Sequence, residues 1–183
     1  MKNILIITGS PRVNGNSNCL AQAFKEGASA KGHRVTMYHS ATKKILPCIA
    51  CESCWSKRTP CVFDDDSSEL AQYIFDTDII VFASPIYWFS FTSQIKLVID
   101  KFYPYIGKKA PRPLKISDCY LLGCAHDKGE NVFSGMVASY LNIASYMHWH
   151  DAGQILVNEV GKIGDIEGMR ALKDAYVMGN EIL

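Results

Sequence analysis

Five short apolar runs punctuate the chain, each followed by residues at helical spacing. The runs are Ile4–Ile7, Arg34–Tyr38, Asp78–Ser84, Cys119–Ala125 and Ile155–Val157. Asp78–Ser84 and Cys119–Ala125 are almost continuously apolar, as expected of strands covered on both faces. Between the runs, Leu20, Ala23, Phe24, Gly27 and Ala28 recur with helical period, and Gly32 supplies a stop. Asp66 is placed to cap a second helix, with Glu69 in capping-box position and Leu70, Tyr73 and Ile74 as its apolar face. Ile95, Val98, Ile99 and Phe102 predict a third. Phe133, Met136, Val137, Tyr140, Leu141 and Ala144 predict a fourth from about Asn131, and Met169, Leu172, Tyr176 and Gly179 a C-terminal fifth. Residues 39–63 read as irregular, and Pro104, Gly107, Pro111 and Pro113 mark a long connection.

Strands alternating with helices predict a parallel sheet with helices on both faces: a three-layer α/β/α, doubly wound sheet of order 2-1-3-4-5. No repeat or linker divides the chain, so residues 1–183 are expected to form one domain. In this topology ligands bind outside the C-terminal strand ends, where strands 1 and 3 diverge. The two loops that meet there are the most unusual in the chain. The first, Gly9-Ser-Pro-Arg-Val-Asn-Gly-Asn-Ser-Asn18, is a polar loop between a strand and a helix, the arrangement that holds phosphate through backbone N–H groups and the helix dipole. Ser10, Asn16, Ser17 and Asn18 add neutral donors, and Arg12 adds a forked cation.

The loop lacks the lysine of a P-loop, since Asn16 follows Gly15, and it lacks the second glycine of a dinucleotide fingerprint, since Pro11 follows Ser10. Nucleotide hydrolysis is therefore not expected, and a terminal monophosphate suits the loop. The second loop, Pro85-Ile-Tyr-Trp-Phe89, puts three aromatics in a row after a buried strand. Aromatics beside a phosphate site suit a planar ring, although cover of the core or of a subunit interface would equally place them there.

Composition narrows the partners. Apolar residues make up 48% and charged residues 20% of the 183, the balance of a globular domain. A net charge of +1 argues against nucleic acid as the main partner. No apolar run reaches the length of a membrane span, and no signal peptide is evident, so a cytoplasmic protein is expected. Residues 1–46 carry seven Lys/Arg against one Glu, which suits an anionic ligand at the opening loop.

Gly9-Ser-Pro-Arg12 with Gly15-Asn-Ser17, Ser84-Pro-Ile-Tyr-Trp88, Thr92-x-Gln-x-Lys96 with Asp100, and Gly164-Asp-Ile166 together resemble the NADPH-dependent FMN reductase and iron–sulfur flavoprotein branch of the flavodoxin-like superfamily. The resemblance implies that Ser10, Arg12, Asn16, Ser17 and Asn18 hold the FMN phosphate. It further implies that Pro85, Ile86, Tyr87 and Trp88 border the isoalloxazine, and that Ala125, His126 and Asp127 close its far side. It also implies hydride transfer from NAD(P)H to the flavin, with electrons passing on to a quinone, a flavin, a nitro or azo compound, or a metal ion. A homodimer or higher homo-oligomer is expected, with the aromatic loop and the cysteine segment near the partner subunit.

Seven cysteines occur, four of them as Cys48-x2-Cys51-x2-Cys54-x6-Cys61. Thiolates at this spacing can turn toward one centre. In iron–sulfur flavoproteins a compact motif of this form holds a [4Fe–4S] cluster, which would make the chain an electron-transfer carrier rather than a nicotinamide-consuming reductase. A zinc site, a C-x2-C redox pair and plain reduced thiols are the alternatives. A non-enzymatic flavin-binding regulator is a third function class. Cys19, Cys119 and Cys124 read as small buried hydrophobes, and His148 and His150 as residues near a helix end rather than metal ligands.

Overall fold

The computed structural model describes residues 1–129 and 131–183. Its five strands are β1 (Asn3–Thr8), β2 (Arg34–His39), β3 (Ile79–Pro85), β4 (Asp118–Cys124) and β5 (His150–Val157). All pair in parallel, in the order β2-β1-β3-β4-β5. Side chains on β1 alternate between two cores, as the two-residue strand period requires. Ile4 and Ile6 face α1 (Asn16–Ala30) and α6 (Arg170–Asn180), whereas Leu5 and Ile7 face the side of α3 (Ser67–Ile74), α4 (Ser93–Asp100) and α5 (Ser134–Met147). β3, with Ile79 to Ser84 all buried, has no solvent side.

The structure departs from the sequence pattern in four places. A short helix α2 (Ser53–Lys57) lies inside the segment read as irregular, entered at Glu52 and left at Arg58 through left-handed backbone. β5 begins at His150 rather than Ile155. As the edge strand it is only partly covered, so its first half carries polar and small residues with no apolar alternation to reveal it. The helix after β4 begins at Ser134 rather than near Asn131.

The capping box at Asp66 does not form, because both of its carboxylates are engaged elsewhere. The Asp66 Oδ2 accepts from the Lys44 N–H (2.6 Å), and Glu69 pairs with Lys43. Asp65 takes over the role of ordering the helix start, its Oδ1 accepting from the Ser67 N–H at 2.9 Å.

α1 and α6 cross backbone to backbone. A Cβ on Gly27 would lie 1.9 Å from the Tyr176 carbonyl oxygen, and one on Gly179 would lie 2.2 Å from that of Phe24. Only bare backbone fits, and the contact holds the first helix against the sheet. Gly27→Ala is therefore expected to destabilise the fold by about 2 kcal/mol or more, in the range of overpacking changes. Lys31→Ala, on the exposed end of α1, should leave the urea midpoint unchanged, and equal midpoints for the two variants would contradict the close approach.

Candidate functional site

The first loop leaves β1 at Thr8 and enters α1 at the N-cap Gly15, which offers no side chain to the open end of the helix. The first N–H groups of α1 therefore remain available to a ligand. The loop is folded by its own side chains. Ser10 Oγ accepts from the Arg12 N–H (3.2 Å), the Gly15 N–H donates to the Arg12 carbonyl (2.9 Å), and Asn18 Nδ2 donates to the carbonyls of Arg12 (3.0 Å) and Val13 (3.1 Å). A Cβ on Gly15 would lie 2.5 Å from Ser10 Oγ, so a larger residue there would displace the Ser10 hydroxyl.

The second loop meets the first through Thr92, the N-cap of α4. Thr92 Oγ1 donates to the Gly9 carbonyl (2.9 Å), and a Cβ on Gly9 would lie 2.6 Å from that hydroxyl. Tyr87 and Ser90 exchange two backbone hydrogen bonds of 3.1 Å around Trp88 and Phe89, both at positive φ (47° and 64°). This is the backbone of a primed hairpin turn, adopted here by two aromatics instead of the usual Asn or Gly. Trp88, 94% exposed, projects from the turn, while Ile86 is tied back by its N–H to the Cys124 carbonyl (2.8 Å).

A third segment, after β5, completes the site. Arg12 donates to the Gly161 carbonyl (2.8 Å) and Asn16 Nδ2 to that of Lys162 (2.9 Å), while Asp165 Oδ2 accepts from both the Gly161 and Lys162 N–H groups (2.9 and 2.7 Å). His126 packs over Gly161 so closely that a Cβ there would lie 2.1 Å from its Nδ1.

Ser10, Arg12, Asn16, Ser17, Pro85, Ile86, Tyr87 and His126 line one cleft together with Gly15, Cys124, Val160, Gly161 and Ile163. Asn18, Trp88, Ala125 and Asp127 lie off its wall: Asn18 turns its amide into the loop, Ala125 is buried, and Trp88 and Asp127 face solvent. Val160, Gly161 and Ile163 had no signal of their own in the sequence. Only Gly164-Asp-Ile166 nearby hinted at a shaped loop.

The cleft has the polar character of a phosphate pocket. Among the described residues, the buried side-chain atoms without a hydrogen-bond partner are Asn16 Oδ1, Ser17 Oγ and Asn18 Oδ1, all at the start of α1. An unsatisfied buried polar group costs about 1–3 kcal/mol. A phosphate oxygen accepting from Ser17, and a ligand hydroxyl donating to Asn16, would remove that cost at two of the three. The residues present thus fit the phosphate end of FMN.

A second cavity lies beneath the cysteine segment. Cys48, Cys51, Cys54 and Cys61 all line it, with Asp100, Lys101 and Tyr103 from the end of α4. All seven cysteines are free thiols. Trp55 of α2 stacks on Tyr103 with ring centroids 4.3 Å apart and donates through Nε1 to its carbonyl (2.9 Å), so the segment is pinned to the domain. Hydrogen bonds from the Ser53 N–H and hydroxyl hold the Cys51 thiol below its ordinary range, with nearby Lys101 adding to the effect. Burial pushes Cys54 up, and it pushes Cys119 to about 11 and Cys124 to about 12, which leaves the latter two as inert packing groups.

A single zinc ion would need its ligands converged tetrahedrally. Among the described residues, no group of three or more His, Cys, Asp or Glu is placed to grip a single ion. The four thiols nevertheless line one cavity together.

The chain is 27% identical to an iron–sulfur flavoprotein of Methanosarcina thermophila, across 94% of this chain and 85% of that protein. It is 36% identical to an iron–sulfur flavoprotein of Archaeoglobus fulgidus over 54% of this chain, a match that spans only 44% of the relative's length. An NAD(P)H:quinone oxidoreductase from Methanothermobacter marburgensis shares the fold with a TM-score of 0.71 at 16% identity, covering 98% of each chain. An azoreductase from Bacillus anthracis does so with 0.72 at 12%, covering both chains completely. A sequence model of one family matches residues 2–180, and by it the chain belongs to the NADPH-dependent FMN reductase family of oxidoreductases.

Proposed function

We propose that this chain binds FMN in the Ser10–His126 cleft and uses it to pass electrons from NAD(P)H to a small acceptor. The observation that carries this reading is the cleft itself, where an uncapped helix N-terminus and the partnerless Ser17 hydroxyl stand beside Tyr87 at the switch point of the sheet. When bound, the flavin supplies hydride acceptance and onward electron donation. The chain's own residues bind and orient. Ser17 and the α1 N–H groups would hold the phosphate. Arg12 would add charge while strapping the 160–163 segment over it, and Asn16 would accept from a hydroxyl. Pro85, Ile86 and Tyr87 would form the wall of the ring site, with His126 closing the opposite side.

Solved structures of the same fold described as a quinone oxidoreductase and an azoreductase support a quinone or azo acceptor. Free flavin, nitro compounds and metal ions belong to the same class. A second copy of this chain is the proposed partner: Trp88 and Phe89 stand exposed beside the cleft, and aromatic surface of this kind is typically buried at interfaces. No helix among the described residues is long and apolar enough to cross a membrane.

A specific observation favours a second reading. The four cysteines line one cavity, and the chain's relatives include several named iron–sulfur flavoproteins. On this reading Cys48, Cys51, Cys54 and Cys61 hold a [4Fe–4S] cluster, which would supply one-electron transfer between the flavin and an external carrier.

Two measurements test these readings. Arg12→Ala and Ser17→Ala are each expected to weaken FMN binding about 10- to 100-fold, the value of one hydrogen bond to a charged group, in a fluorescence-quenching titration. Exposed Asp64→Ala should bind as wild type does, and equal loss in all three variants would remove the phosphate assignment. Protein purified without oxygen is expected to show flavin absorbance that bleaches on adding NADPH or NADH. Iron and sulfide together with a flavin that neither nicotinamide bleaches would instead establish the carrier reading.

A further inference from the structure

Beside the cysteine cavity sits a charge for which the functions proposed above have no use. Lys101 is 3% exposed, and its ammonium lies 3.2 Å from Asp65 Oδ2, whose side chain is 1% exposed. It also donates to Cys61 Sγ at 3.2 Å and stands 4.7 Å from the centre of the Phe63 ring. Burying a lysine–aspartate pair is weak evidence of a stabilising role, because desolvation offsets the attraction. Nor does Asp65 depend on Lys101 alone for a partner. Burial would raise its carboxyl, but hydrogen bonds from Ser67 and from the Leu46 N–H, with Lys101 after them, hold it below the ordinary range. By those bonds Asp65 ties the residues flanking the cysteine segment, and the lysine lies between its carboxylate and the Cys61 sulfur.

We propose that Lys101 tunes the four-cysteine site: its ammonium donates to Cys61 Sγ and raises the reduction potential of an iron–sulfur cluster held there, while the neighbouring Asp65 carboxylate opposes it. The proposal rests on the second reading above. Reduction of such a cluster takes up one electron, forms and breaks no bond, and leaves the site one negative charge richer. The ammonium is itself buried (Lys101 is 3% exposed), so it is screened less than a surface cation and would stabilise that extra charge. Net charge and hydrogen bonds to the sulfurs are the means by which proteins set cluster potentials. Lysine suits the position because its three donors can serve a carboxylate and a sulfur at once. Its place is fixed from α4, which it terminates, a position the helix dipole favours for a cation. The same helix begins at Thr92 in the switch point, about 14 Å away along the helix axis at 1.5 Å per residue.

The test uses full-length wild type, Lys101→Met, Asp65→Asn and the double variant, each reconstituted anaerobically with ferrous iron and sulfide and carrying FMN. Iron is counted, and dithionite titration gives the cluster midpoint potential by paramagnetic resonance and the flavin potential by absorbance in the same sample. Lys101→Met is expected to move the cluster potential negative and Asp65→Asn to move it positive. The double variant should fall between them, with the flavin potential unchanged throughout. A merely structural role would not produce opposite signs. If Lys101→Met does not fold, the positive shift of Asp65→Asn and its reversal in the double variant carry the test. Iron-loaded variants with the wild-type potential, or single variants shifting in the same direction, overturn the proposal alone. A wild type that takes up no iron and sulfide overturns the cluster reading and this proposal with it.

Discussion

The site depends on one constraint: the first and second loops must meet backbone to side chain with no Cβ between them. Gly9 ends β1 where Thr92 and Ser84 already fill the space, and the Thr92 hydroxyl binds the Gly9 carbonyl. That single contact fixes the N-terminus of α4 against the start of the first loop, beside the C-terminal ends of the paired strands β1 and β3. The close crossing of α1 and α6 at Gly27 and Gly179 acts from the other side. It sets the depth of α1, and hence where the first helical N–H groups point. Two glycine contacts on opposite faces of the sheet thus set the elements from which the cleft is built.

Much of this was legible in the pattern of residues. Strand β3 announced itself through a continuous apolar run because both of its faces are covered, and the sheet order followed from the alternation of elements. The pattern of a polar loop ahead of a helix grouped Ser10, Arg12, Asn16 and Ser17, and these four do line one cleft. The features that stayed hidden depend on contacts between distant segments. Gly161 and Lys162 act through backbone carbonyls, which any residue supplies, so their roles leave no mark on side-chain type. The donors of Asn18 looked available from composition, but the loop consumes its amide. The apparent capping box failed because Lys43 and the Lys44 N–H compete for its two carboxylates.

The polar groups at the start of α1 run against ordinary folding economy. Most buried hydroxyls and amides find partners within the protein, yet Ser17 Oγ and Asn16 Oδ1 have none among the described residues. The hairpin at Trp88 and Phe89 is a second such departure, with two aromatics held in a backbone region that suits glycine or asparagine. Both lie around the same cleft. Local rules broken in one place and obeyed elsewhere are the pattern of a binding site, since the ligand supplies what the fold withholds.

The cysteine segment shows a different economy. Only a short helix gives it regular structure, and it is held through few side chains: Asp65 at its ends, Trp55 on Tyr103 near its middle, and Lys101 at Cys61. A segment retained only for packing would bury apolar residues, yet here Ile49 is exposed while a lysine and an aspartate are buried. Inverting the usual preference is costly unless the buried charges face something that needs them. Four thiols around one cavity meet that requirement, because they can carry several negative charges at once when deprotonated. The charge pair and the four thiols thus lie against one another, with the buried ammonium in contact with both Asp65 and Cys61.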